Sequence, residues 1–560
     1  MASKTKTYAA DTFTATTQDL FISDFTSVKV EAGAYIQPTT NDNGVTLEPG
    51  VWTFTLNGGI LAAGDGILLL DGNSAKNSKL TIGVEGTLYG VGGGFDGLSS
   101  AQGVDITNAG DIVGARDGIH LSGISDGSKG FTITNTATGT ITGDTTAAIL
   151  DGFSDMTMTV KNAGTIDGAG SADAIHAFGA INVTNSGVMT GDIQIDDSSF
   201  TFANTITNSG HMYAVLLDDG ADTVKNTGLI FDSVNLFGGK NSFTNSGTIE
   251  GSVSFGSGDD TGSNSGVIEG DVNLFNGTNK FTNSGTIEGS LLGGAQADTV
   301  TSTGTIEGTI DLGSGDDTFT GGKGEDVVLD NAGFNKIKLG AGDDTFEING
   351  QGTYALDGGT GFDTLDLSAF PGGTYHVNLG ASTAILGAAT IAANHGDSGF
   401  VGSGGAIKGF EGVLGSDGAD FIAGGTGVDV LSGGKGPDTL AGGGGGDLLI
   451  GGAGGDTFVY FSAKDSAVTK TGMDRIFDFA DGVDVIDLHL IDTDSKAADD
   501  QGFFFIGTNV AFGKNSGELR AVSVGLDMVI QGDVNGDGKA DFAILLVGIT
   551  SGIDQTNFDL

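Results

Sequence analysis

The chain has no cysteine, 4 prolines and 1 tryptophan in 560 residues, and 23 lysines and arginines stand against 71 aspartates and glutamates. The lack of cysteine excludes disulfides and thiolate metal sites, and with them a zinc ribbon or a cysteine nucleophile. A formal charge of -48 repels nucleic acid and anionic membrane surfaces, and it opposes a compact state unless cations neutralise it. Apolar runs such as "FAILLVGI" at 542–549 are far short of the roughly 20 residues that a spanning helix needs. Neither a nucleic-acid partner nor direct membrane insertion is expected. The opening "MASKTKTYAADTFTATTQDLFISDF" lacks the apolar h-region and small-residue cleavage site of a secretory leader, so export by that route is not expected. None of the six histidines, His120, His176, His211, His376, His395 and His489, is followed by glutamate, and no G-x-S-x-G occurs. A metzincin is therefore excluded and an α/β-hydrolase disfavoured.

What the chain does have is 103 glycines and a repeat. "FTNSGTIEGS" stands at 243–252 and again at 281–290, and Asn226, Asn245, Asn264 and Asn283 are each 19 apart. Looser copies place Asn108, Asn135, Asn162, Asn185 and Asn208 upstream. A second marker runs in phase: Asp222, Asn241, Asp260, Asn279, Asp298 and Asp317, also 19 apart. Within one rung Ile249, Gly251, Val253 and Phe255 alternate with Glu250, Ser252 and Ser254, the period of a half-buried strand. Equal rungs that cannot bury their own apolar face must stack, which predicts an all-β chain built as a parallel β-solenoid. The 19-residue beat resembles the rungs of filamentous-haemagglutinin-type adhesins. An outward ladder of Glu250, Glu269, Glu288 and Glu307 is expected at about 4.8 Å spacing. Neighbours would repel by about 0.9 kcal/mol in water.

After Asp317 the beat shortens to nine: Asp326 in "GGKGEDVVL", then Asn335, then Asp344. Residues 346–412 read as an irregular insertion. From 415 to 459 five nonads, "GSDGADFIA GGTGVDVLS GGKGPDTLA GGGGGDLLI GGAGGDTFV", place Asp420, Asp429, Asp438, Asp447 and Asp456 at one spacing. Ile422, Leu431, Leu440, Leu449 and Phe458 follow two residues later. These nonads resemble the RTX (repeats-in-toxin, haemolysin-type) family, whose repeat is G-G-x-G-x-D-x-U-x with U a large apolar residue. The resemblance implies a parallel β-roll binding several calcium ions. Its implied ligands are the five aspartates and the turn carbonyls of Gly425, Gly427, Gly434, Gly436, Gly443, Gly445, Gly452 and Gly454, with Asp317, Asp326 and Asp344 next in rank. The residue types suit the ion: calcium takes 6 to 8 oxygens, and glycine lets a turn bend its carbonyls toward one point.

From 474, "DRIFDFADGVDVIDLHLID", "FFFIG", "GELR" and "GDVNGDGKADFAILLVG" resemble the C-terminal domain of serralysin-type proteins. Asp533, Asn535, Asp537 and Asp541 imitate an EF-hand start, yet the twelfth position is Ile544 rather than glutamate, so a hairpin turn is favoured over a calcium loop. The final "ITSGIDQTNFDL" resembles an uncleaved type I secretion signal, which implies an ABC transporter as partner.

The expected organisation is a β-rich cap at 1–100 holding Trp52, a solenoid at 101–345, the insertion at 346–412, a calcium-binding roll at 413–460 and a serralysin-like domain with secretion signal at 461–560. The expected function is that of a secreted, calcium-dependent protein, extracellular or cell-surface associated. Its role is structural or adhesive, as a surface layer, filament or matrix component, with itself or cell-surface glycans as partners. No enzyme is expected. The competing reading is a β-helical polysaccharide lyase or uronate epimerase, for which "RDGIHLSG" and "SADAIHAFG" supply Asp117 with His120 and Asp173 with His176.

Overall fold

The computed structural model describes residues 5–8, 13–16, 20–22, 27–38, 43–47, 53–69, 78–90, 96, 98–100, 104–121, 130–152, 157–170, 172–196, 201–350, 352–369, 375–379, 407–493 and 501–560. Two compact units are present, Met1–Leu292 with Thr305–Glu307, and Gly293–Gly304 with Gly308–Leu560. Among the described residues the helical content is one 3-10 turn, Gln555–Asn557.

In the first unit each coil contributes one short strand to each of three parallel sheets. One sheet begins at Thr5–Tyr8, Ser27–Val30 and Thr53–Leu56 and reaches Lys280–Asn283. The second runs from Phe13–Thr16 to Thr305–Ile306. The third begins at Leu20–Ile22 and Val45–Leu47. The described parts of 1–100 form coils in register with those that follow; Trp52 lies outside the described residues.

Inward positions are apolar and stack on their own kind. Phe243, Phe255 and Phe281 are fully buried, with ring centroids 5.7 and 6.1 Å apart in edge-on contact. Gly262 holds the place between Phe243 and Phe281 in this column. A Cβ there would come within 2.5 Å of both Phe255 and Phe281, so the rung that breaks the "FTNSG" phrase does so to admit its neighbours' rings. The seven residues Ile249 to Phe255 are not one strand. Thr248–Ile249 and Val253–Ser254 belong to different sheets, and Gly251 turns the corner where a Cβ would meet Asp232 and Ser233 main chain at 2.6 Å. Alternation survives because the chain turns between them without losing its inward face. Glu250, Glu269, Glu288 and Glu307 are exposed, as the ladder requires.

The repeated asparagines are buried and joined amide to amide. Nδ2 of each donates to Oδ1 of the next from Asn108 through Asn135, Asn162, Asn185, Asn208, Asn226, Asn245 and Asn264 to Asn283, at 2.8–2.9 Å. Each amide inside the column is satisfied by its neighbours, which is what permits so polar a stack under the surface.

The second unit keeps parallel coils but shortens them to about 18 residues and two facing sheets in the nonads. Ile422, Leu440 and Phe458 stack in one sheet. Leu431 and Leu449 stack in the other. All five are buried. The stretch read as an irregular insertion begins regularly: Gly352–Thr360 pairs with Gly333–Ala341, and Thr364–Asp366 with Thr345–Ile348. Residues 358–366, "GGTGFDTLD", are a further nonad; residues 380–406 lie outside the described set. An antiparallel meander of Glu518–Val524, Asp527–Asp533 and Phe542–Leu546 follows the nonads. Phe558–Asp559 closes the chain as a strand on Val485–Asp487.

Candidate metal centres in the aspartate turns

Nine-residue spacing suggests one line of aspartates; the coil splits it into two columns, because successive nonads turn at opposite edges. Along each column Oδ1 accepts the main-chain N–H of the preceding aspartate, and Asp420, first in its column, accepts from Tyr375 at 2.7 Å. In one column Asp438 accepts from Asp420 at 2.7 Å, Asp456 from Asp438 at 2.9 Å and Asp484 from Asp456 at 2.9 Å. In the other Asp447 accepts from Asp429 and Asp474 from Asp447, both at 2.9 Å. The earlier turns repeat this: Asp344 accepts from Asp326 at 2.8 Å, Asp363 from Asp344 at 3.0 Å, and Glu411 Oε2 from Asp363 at 3.1 Å. Asp317 accepts from Asp298 at 2.7 Å, and Asn335 Oδ1 from Asp317 at 2.6 Å.

The second carboxylate oxygen distinguishes the sites. Oδ2 of Asp317, Asp344, Asp363, Asp438 and Asp447 is buried with no hydrogen-bond donor, whereas the Tyr460 hydroxyl lies against the Asp474 carboxylate. By contrast Oδ2 of Asp429 accepts from the Gly425 N–H at 2.6 Å, and Oδ2 of Asp420 from the Ser416 N–H at 2.7 Å. Burial pushes Asp429 up to about 6, Asp438 and Asp447 up to about 7 and Asp474 up to about 8, because desolvation disfavours the charged form. Asp317 is raised to about 7 and Asp326 to about 6 by the same cause. Asp344, Asp420 and Asp456 are also raised.

The glycines form the other wall. A Cβ on Gly443, Gly445, Gly452 or Gly454 would sit 1.8–2.2 Å from the carbonyl oxygens of Gly425, Gly427, Gly434 and Gly436, one coil before. Gly434, Gly436, Gly443 and Gly452 also hold positive φ, from 86° to 104°, which other L residues rarely adopt. A buried oxygen without a donor beside stacked carbonyls is an all-oxygen cradle, and such a donor set suits a hard divalent cation. The EF-like loop differs: Asp533 already accepts from the N–H groups of Gly536, Asp537 and Gly538, and Asp541 from Val534 and Asn535. It is the hairpin loop between the last two meander strands.

Several ladder members escaped the sequence reading. Asp474 and Asp484 stand 27 and 28 residues after the aspartates that bond them, and Glu411 stands 48 after Asp363; no spacing rule would find these. Asp363 was legible in its nonad.

The two histidine pairs are closed ion-pair networks. Arg116 donates to Asp96 at 2.6 and 2.9 Å and to Asp117 at 3.1 Å, with both carboxylates fully buried. His120 Nδ1 lies 2.7 Å from the Arg116 guanidinium and 3.1 Å from Asp96. His176 bridges Asp173 at 2.8 Å and Asp196 at 2.9 Å. The Asp173 hydrogen bond raises the His176 pKa.

Residues 408–558 match the family model for the serralysin C terminal of peptidase M10. Residues 309–328 and 320–347 match the model for the RTX calcium-binding nonapeptide repeat. The second match falls on the turns of Asp317, Asp326 and Asp344, and the five regular nonads fall inside the first. No curated protein matches the chain.

Proposed function

We propose that this calcium-binding RTX β-solenoid protein leaves the cell unfolded through a type I ABC transporter, folds outside on calcium, and serves a structural or adhesive role at the cell surface or in a matrix. The observation that carries the calcium part is the pair of buried, donorless Oδ2 atoms on Asp438 and Asp447. A bound calcium ion supplies the positive charge those oxygens lack. Asp438, Asp447 and Asp456 hold it with the turn carbonyls of Gly425, Gly427, Gly434, Gly436, Gly443, Gly445, Gly452 and Gly454, and Asp317, Asp326 and Asp344 do the same upstream. Asp420 and Asp429 join by giving up the Ser416 and Gly425 N–H bonds. Where calcium is scarce the carboxylates stack against one another uncompensated, which favours an open chain. The C-terminal strand supports the order of events. Phe558 is buried where its strand pairs with Val485–Asp487, so folding ties down part of a signal at that end.

The structural role rests on the solenoid surface. Phe237 and Phe275 hold left-handed backbone, φ 53° and 54°, with rings 45% and 43% exposed. In the intervening coil Gly256 occupies the same place at φ 90°. Bulky residues in this region are strained, and such strain persists where function retains it. The two rings stand two coils apart, about 9.6 Å, and give a self-assembling layer or a glycan an apolar row beside acidic ladders. In this reading the protein is not an enzyme, and His120 and His176 brace their coils. Electron microscopy of calcium-loaded protein is expected to reveal ordered assemblies. F237G/F275G is expected to keep an equal or higher thermal midpoint while assembling less. Dispersed particles, together with no retention on the producing cells, would reject the structural role; unsaturated products released from uronate polymers would instead favour a lyase.

A further inference from the structure

The first unit, outside every nonad, carries a column in which aspartate and asparagine alternate: Asp222, Asn241, Asp260 and Asn279. Oδ1 of each makes one and the same bond. Asp222 accepts from the Asn204 N–H at 2.8 Å, Asn241 from Asp222 at 2.9 Å, Asp260 from Asn241 at 2.7 Å and Asn279 from Asp260 at 3.0 Å. Two planar groups of equal size, fixed by equivalent Oδ1 bonds, send their second atoms into the turn, though not onto identical partners.

At the asparagines that second atom is an NH2 group that meets carbonyl oxygens. Asn241 Nδ2 donates to Gly238 at 3.1 Å and Phe255 at 3.3 Å. Asn279 Nδ2 donates to Gly277 at 3.2 Å and Leu274 at 3.3 Å. At Asp222 and Asp260 the same place holds a carboxylate Oδ2, buried and without a donor, on side chains 1% and 2% exposed. The amides of Asn204 and Asn241 lie beside these carboxylates, yet neither hydrogen-bonds the Oδ2, and a buried polar atom left so is costly. Something positive must lie beside it.

We propose that Asp222 and Asp260 each anchor a calcium ion in the turns of the 19-residue coils, with main-chain carbonyls as the remaining protein ligands. The ligand atoms proposed here, carboxylate and main-chain carbonyl, are all oxygens, which selects a hard cation over zinc or copper. At Asn241 and Asn279 an amide satisfies turn carbonyls without an ion, so the charged turns stand two coils apart. The site depends on no glycine nonad and is independent of the second unit's ladders.

Calcium-45 equilibrium dialysis of the full chain tests this. D222N/D260N is expected to bind two ions fewer than the parent and, in chelator at pH 8, to be the more stable of the two, since each new amide replaces an ion. D438N/D447N is expected to retain the two ions of the first unit, which separates these sites from the nonads. An unchanged calcium count in D222N/D260N would overturn the proposal and identify Asp222 and Asp260 as protonated acids that donate to the carbonyls. Lower stability of D222N/D260N in chelator would overturn it as well, because the asparagine would then not fit the place assigned to it.

Discussion

Asp447→Asn is expected to destabilise the protein in calcium and to stabilise it in chelator. The substitution keeps the Oδ1 that accepts the Asp429 N–H at 2.9 Å and replaces the donorless Oδ2 with an NH2 group. In calcium the variant loses an anionic ligand. At free calcium about 100 times the dissociation constant one lost site is worth about 2.7 kcal/mol, or about 5–10 °C in thermal midpoint for a unit of this size. In chelator the parent bears an uncompensated buried oxygen, a penalty of about 1–3 kcal/mol that the amide removes. Asp447→Ala separates the two effects. It also strips the acceptor from the buried Asp429 N–H, so it is expected to lower the midpoint in both media. A D447N midpoint that falls equally with and without calcium would show that Asp447 acts through packing and not through an ion.

In excess chelator the thermal midpoint of the second unit is expected to fall as pH rises from about 4 to 8. Asp429, Asp438, Asp447 and Asp474 have an ordinary value of 3.8 and, in the folded unit, are pushed up to about 6, 7, 7 and 8 by burial. Between the unfolded and folded values the native state binds more protons than the unfolded one, so stability declines with rising pH across that window. It is fully present below pH 4 and spent above pH 8. Calcium reverses the trend in one respect: it requires the carboxylates ionised, so the increment it adds in midpoint should grow as pH rises through 6 to 8. Differential scanning calorimetry at several pH values, with calcium and with chelator, reads both slopes. A chelated midpoint that rises between pH 4 and 8 would contradict the burial of these groups.

The solenoid and its beat were legible because a coil cannot change length without losing register: Asn226 to Asn283 and Asp420 to Asp456 declare their spacing outright. The side of the roll was not legible, since a nine-residue step says only that a turn recurs. Asp429 and Asp447 belong to one edge and Asp420, Asp438 and Asp456 to the other because each nonad spends half a coil. The run from Ile249 to Phe255 read as one strand because alternation continues across the corner at Gly251. Contacts set by coil geometry left no local trace either. Asp96 meets Arg116 and His120 from one coil earlier, and Asp474 completes a ladder 27 residues downstream. Asp363 was missed for another reason: its "GGTGFDTLD" opens a stretch, 346–412, whose later composition hides the beat.

Hydrogen exchange of the full chain, read by mass spectrometry over residues 413–459 in calcium and in excess chelator at pH 8, tests the central claim most directly. If these turns are calcium sites that drive folding, the strands Phe421–Ala423, Val430–Lys435, Thr439–Ala441 and Leu448–Ala453 are strongly protected in calcium and exchange many-fold faster in chelator, where the folded state is only marginally populated. Equal protection in both would mean that the roll folds without the ion, and the account of folding after export would be wrong.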